Sequence, residues 1–188
     1  MRFMFPAAAA ACVLLTACGG EKSSQANNAQ ANISTDSRTA DTAVATTAAL
    51  PTAAPATRDE ALKIMHERHE MMEGLGKASK EIKRQLDATP TDISVIRRAA
   101  TAYYDAAPKM ASLFPPGTGP DMGKTGAKPA IWQNGADFEA HIRDFQAATR
   151  AFADTAAHID RDALRTSFGE LQKTCKGCHD KYRAEMKH

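Results

Sequence analysis

The chain has 188 residues, 43% of them hydrophobic, enough for one ordinary domain with its own core and too few for two sizeable ones. Lysine and arginine number 24 against 22 aspartate and glutamate, a formal charge of +2. This excess is spread in mixed-sign runs rather than gathered into a basic stripe, so nothing in the charge pattern points to nucleic acid.

The chain opens Met-Arg, followed by an apolar stretch from Phe3 to Ala17. The stretch is shorter than the ~20 apolar residues that span a bilayer and ends in small residues, which reads as an export signal over residues 1–17. Its end, Leu15-Thr16-Ala17-Cys18-Gly19, resembles a bacterial lipobox, which implies that Cys18 is a lipid anchor. The expected location is therefore the periplasm, attached to a membrane through lipid. Gly19 in place of an acidic residue resembles lipoproteins sorted to the outer membrane. From 18 to 57 the composition is Ala, Thr, Ser, Asn and Gln with no aromatic residue. Such a tract buries too little apolar surface to offset its ordering entropy, and a disordered tether is expected.

From Arg58 the pattern turns helical. Leu62, Met65, His69, Met72, Gly76, Ser79 and Leu86 follow 3-and-4 spacing, with Leu75 and Ile82 flanking, and the helix is predicted to stop before Thr89-Pro90. Asp92 is placed to cap a second helix, with Ile93, Ile96, Ala100, Tyr103, Ala107 and Met110 on one face and a kink at Pro108. A Gly/Pro/Lys-rich connection from Phe114-Pro115-Pro116-Gly117 to Pro129 is too long for a tight turn. Asn134 is available to cap a third helix, whose face is Phe138, Ile142, Phe145, Thr149, Phe152, Ala156 and Ile159. Asp160 opens a fourth, with Leu164, Phe168, Leu171, Cys175, Cys178 and Tyr182 in one stripe. Four amphipathic helices without strand alternation predict an all-α fold, an antiparallel four-helix bundle with one long crossover between the second and third helices, over residues 58–188.

The fourth helix carries Cys175-Lys176-Gly177-Cys178-His179, a complete Cys-x-x-Cys-His sequence for covalent attachment of one haem c. At about 100° per residue the cysteines lie roughly 60° apart on one face, so both sulfurs reach one haem edge, and His179 follows as the axial ligand. Competing uses of the cysteines are weaker. A structural zinc needs four ligands, and His66, His69, His141 and His158 are scattered over two helices; an iron–sulfur cluster needs four thiolates; a dithiol redox motif belongs in a βαβ setting; a plain disulfide explains nothing about His179.

The C-terminal motif, the four helices and several landmarks resemble the cytochrome c-prime family of periplasmic haem proteins over about residues 58–188. The landmarks are Arg68 with Met72, Leu113-Phe114-Pro115-Pro116-Gly117, Lys128-Pro129-Ala130-Ile131-Trp132, and Cys175 to His179 followed by Tyr182-Arg183. Low-spin members resemble Arg-x-x-x-Met where this chain has Arg68-His69-Glu70-Met71-Met72, which implies Met72 as second axial ligand. The bland alternative is that Met72 is core filler, as open-site members carry an apolar residue there. His69 is a rival ligand, Arg68 and Arg183 are candidate neighbours of the haem, and Trp132 either covers it or closes the bundle end.

Two functions follow as expectations: a one-electron carrier with His179 and Met72 on the iron, or a five-coordinate haem protein that takes NO or CO. No carboxylate pair, nucleophile triad or distal acid/base set accompanies the haem, so an enzyme is not expected. Redox proteins are the expected partners, along with a membrane through the anchor and, by resemblance, a second copy of the chain.

Overall fold

The structure is a computed structural model and describes residues 48–158 and 160–185. The signal, Cys18, the tether up to residue 47, and Ile159 lie outside the described residues.

The longest helix, α1 (Arg58–Asp87), begins at a reciprocal cap. The Thr57 hydroxyl accepts from the Glu60 amide at 3.2 Å, while the Glu60 carboxylate accepts from the Ala56 amide at 2.9 Å. Its buried residues are Ala61, Met65, Arg68, Leu75, Ile82, Gln85 and Leu86. The stripe is therefore rotated from the predicted one. Leu75 and Ile82 stand at its centre, and Leu62, His69 and Gly76 are exposed. Two buried polar residues, Arg68 and Gln85, displaced the phase, because an apolar count does not register them.

The second helix, α2 (Ile93–Ala106), starts as predicted at Asp92, whose carboxylate accepts from the Ser94 and Val95 amides. It does not continue through a kink at Pro108. It gives way to two short 3-10 turns, Ala107–Lys109 and Ala111–Leu113. Proline has no amide proton to bond back four residues, and its ring collides with the carbonyl there, so the tighter winding takes over.

After a single turn, α3 (Ala130–Gln133), the chain enters α4 (Gly135–Ala156). Asn134 precedes α4 but its side chain does not cap it; its Nδ2 donates instead to the Ala130 carbonyl at 3.0 Å. The last helix, α5 (Arg161–Tyr182), is capped by Asp160 as expected.

The four long helices pack in the cyclic order α1, α2, α4, α5, with α1 and α5 closing the ring by the thinnest seam. This is the predicted four-helix bundle. The α4–α5 seam is the densest and is filled by aromatics: Phe152 meets Phe168 with ring centroids 5.7 Å apart, and Phe138 meets Tyr182 at 5.0 Å. Each such side chain, once buried, contributes about 1.5–3 kcal/mol.

The crossover is fixed by a buried cation. The Arg68 guanidinium donates to the carbonyls of Leu113 (3.0 Å) and Thr118 (2.8 Å) and to the hydroxyls of Thr118 and Thr125, both at 3.1 Å. It also lies over the Phe114 ring, 4.9 Å from the centroid. The far end of the crossover pairs with the end of α5, where the Lys128 amide donates to Tyr182 O at 2.9 Å and the Ala184 amide to Gly126 O at 2.8 Å.

The last ten residues of the expected tether carry no helix, but they are laid on the bundle. Ala48 is buried, and the Leu50 amide donates to the Glu139 carboxylate of α4 at 2.9 Å. Contact with the domain thus begins well before residue 58. No helix among the described residues is long and apolar enough to cross a membrane.

Candidate functional site

The Cys-x-x-Cys-His segment occupies the last two turns of α5, kept helical by ordinary local bonds. The Thr174 hydroxyl donates to Leu171 O at 2.8 Å, and Lys176 pairs with Asp180 one turn on. Lys176 and Gly177 face water, while Cys175 and Cys178 are half-buried against the core, as their shared stripe predicts. Both sulfurs are free in the structure. Burial, then the charges of Cys175 and Asp137, push the Cys178 thiol up to about 11; burial raises Cys175 as well. Such thiols are protonated at neutral pH, the opposite of the acidic thiolate that dithiol oxidoreductases use.

Zinc also finds no set of ligands here. Among the described residues, the group of His, Cys, Asp and Glu with ligating atoms close enough to share an ion is His69, Glu70 and Glu73, on the exposed face of α1. His69 is consequently not a seam residue. It points to solvent and pairs with Glu73 at 3.3 Å, which corrects the expectation that it could rival Met72.

His179 follows Cys178 at the exposed edge of the helix. Its local desolvation, with the Arg183 guanidinium added, holds the imidazole below its ordinary value, so the neutral ring has a lone pair for a metal. Arg183 is exposed, and its backbone amide caps α5 by donating to His179 O at 3.0 Å. Of the two predicted arginine neighbours, it is the one placed beside the motif. Arg68 spends its donors on the crossover.

The facing wall is α1. Met71 and Met72 are both half-buried against the core that also holds Cys175 and Cys178. At about 100° per residue Met71 lies about 40° to one side of Leu75 and Met72 about 60° to the other, so both thioethers flank the buried stripe. Tyr103 of α2 bridges the two walls. It is buried, donates to Leu75 O at 2.9 Å, and lies close enough to Cys175 for that thiol's charge to raise its phenol, with burial the larger cause, to about 12. Trp132 closes the bundle end, its Nε1 shared between Phe114 O and Pro115 O at 3.1 Å each.

Sequence reasoning missed one group beside the motif. Asp137, in the first turn of α4, accepts from the Tyr182 hydroxyl at 2.5 Å and from Lys181 at 2.8 Å, and lies 3.6 Å from His141. The i,i+4 spacing of Asp137 and His141 was visible, but their partners come from 44 and 45 residues away.

Two free sulfurs on one face, a neutral imidazole next to them and a thinly closed seam opposite, lined by a thioether, form a donor set that fits haem c. Comparison with known proteins agrees. The profile of the family described as Cytochrome C' matches residues 63–183. The cytochrome c' of Allochromatium vinosum is 40% identical over 78 residues, which span 40% of this chain and 51% of that protein. The chain thus aligns with about half of that relative's length. The cytochrome c' of Rhodopseudomonas palustris is 29% identical over 65% of this chain and 82% of that one. Among solved structures, a cytochrome c' described by its ligand-controlled dimer dissociation superposes with a TM-score of 0.63, at 30% identity, over 70% of this chain and 100% of its own.

Proposed function

Because the chain belongs to the cytochrome c' family and is a haem protein of that family, we propose that it carries one haem c and transfers single electrons, without turning over a substrate. Bound haem supplies a one-electron Fe(III)/Fe(II) couple. Cys175 and Cys178 would hold it through two thioethers, His179 would supply a nitrogen ligand, and Met72 would supply a thioether sulfur from α1. The observation that carries this reading is the methionine pair Met71 and Met72, half-buried on the α1 wall against the core shared by both cysteines, and the resemblance to low-spin members selects Met72 of the two. A methionine thioether on the iron would raise the potential and exclude other ligands, which suits a carrier.

The test is the visible spectrum of the haem-loaded protein, oxidised and reduced, with and without CO. Sharp low-spin bands, indifferent to CO, are expected for His/Met ligation. High-spin bands that shift fully with CO would instead establish the second reading, a five-coordinate protein binding NO or CO. That reading is favoured by the relative whose dimer responds to ligand. Met72→Ala separates the two: it converts a carrier to a CO-binding form and leaves a five-coordinate protein's spectrum nearly unchanged.

The export signal and Leu15-Thr16-Ala17-Cys18 support a periplasmic, lipid-anchored protein with redox proteins as partners. Membrane retention of a Cys18→Ser variant would refute the anchor.

A further inference from the structure

One carboxylate stands where it can act on the haem-bearing turn without belonging to the Cys-x-x-Cys-His motif. Asp137 leaves the first turn of α4 and meets the last turn of α5 through Tyr182 and Lys181, both on the same oxygen, Oδ2. Tyr182 is buried and packed edge-on against Phe138 and His141, with ring centroids 5.0 and 5.7 Å away, so the hydroxyl that Asp137 accepts is held in place. The His141 ring lies against the motif itself: a methyl group added at Gly177 would stand 3.8 Å from its Cε1. Asp137 lies 3.6 Å from the same His141, so only one imidazole ring separates the carboxylate from the motif.

We propose that Asp137 sets the reduction potential of the haem, its fixed negative charge at the Cys178 edge favouring the ferric state while its bonds to Tyr182 and Lys181 hold the last turn of α5 in position. This rests on the haem reading of the site. A negative charge near the iron stabilises the more positive oxidation state and lowers the potential. Lys181 opposes it with a cation of its own, and the side chain of Asp137 is 47% exposed, so the effect is screened by salt. Asp137 is thus a positioning residue with an electrostatic function, and the two parts separate experimentally. Tyr182→Phe removes the hydrogen bond and leaves the charge; Asp137→Asn removes the charge and keeps an acceptor for the hydroxyl.

The experiment is a spectroelectrochemical titration, at pH 7 and low ionic strength, of the full-length haem-loaded protein and three variants. Asp137→Asn is expected to shift the midpoint upward, Lys181→Met downward, and Tyr182→Phe by clearly less than Asp137→Asn; all three shifts contract in high salt. An unchanged midpoint in Asp137→Asn, or a shift in Tyr182→Phe as large, overturns the proposal. If Asp137→Asn does not fold, Lys181→Met decides: an unchanged or raised midpoint rejects it. Failure of the unmodified chain to bind haem covalently, scored by the pyridine haemochrome of the denatured protein, would instead remove the underlying reading. Covalent haem with an indifferent midpoint removes the Asp137 proposal alone.

Discussion

The two walls that flank the thin α1–α5 seam are built from different materials. The α4–α5 wall is rigid: Phe152, Leu164 and Leu171 have essentially no exposed surface, and aromatic pairs run its length to Tyr182. The α1 wall at the same level carries Met71 and Met72, both half-buried, followed by Gly74 and Gly76 on either side of Leu75. Methionine adapts to gaps and glycine weakens a helix interior. The wall that holds the cysteines is fixed, and the wall that faces them is compliant. A bundle that must accept a planar group along one seam needs one wall to supply the geometry and the other to give way.

The comparison is broken most severely from the rigid side. Leu164→Ala removes a fully buried side chain from the α4–α5 wall and is expected to cost about 2–5 kcal/mol in urea unfolding, whereas Cys178→Ala in the haem-free protein should cost well under half of that. Equal losses would mean that the motif end is as tightly packed as the rest.

Tyr103, the bridge between the walls, gives a pH signature. Its phenol is raised from 10.0 to about 12 in the fold, so the folded protein holds the neutral form. The Tyr103 contribution to stability is complete below pH 10, where both states are protonated, and is lost as pH rises from 10 to 12, by up to about 3 kcal/mol. Unfolding of the haem-free protein across that window should show a smaller loss in Tyr103→Phe than in the parent, the raised Cys178 thiol supplying part of what remains.

The smallest effect sharpens the contrast. Nothing lies within 4 Å of a methyl group placed at Gly74 or Gly76, and neither glycine has a positive φ. Gly74→Ala and Gly76→Ala should each stabilise the protein by about 1 kcal/mol, read as a higher midpoint in urea. If either destabilises it, the glycines are there for space and the α1 wall is not compliant by sequence.

What was legible in the sequence was local. The motif from Cys175 to His179 spans five consecutive residues, and the caps Asp92 and Asp160 stand directly before their helices. Over the described residues the stripes of α4 and α5 match the apolar spacing, except that the buried face of α4 also holds Gln146, an amide that an apolar count does not register. In α1 the buried face includes a cation and an amide, so hydrophobic periodicity placed His69 on the seam and left Leu75 to the side. The clamp on Arg68 and the cluster on Asp137 join residues 44 to 57 positions apart, and no spacing in the chain announces them. The sequence predicts a kink at Pro108 in a helix that instead ends at Ala106, since propensity does not say which of two accommodations a proline receives.

The Arg68 clamp also acts as a proofreading device for topology. The guanidinium is buried, and although desolvation lowers it to about 10 it remains a cation at neutral pH. A crossover threaded out of register would withdraw Thr118 and Thr125 and strand that charge in the core, at a cost of several kcal/mol. Of the many ways a long connection could drape over α1, the bundle therefore admits the one that answers the arginine.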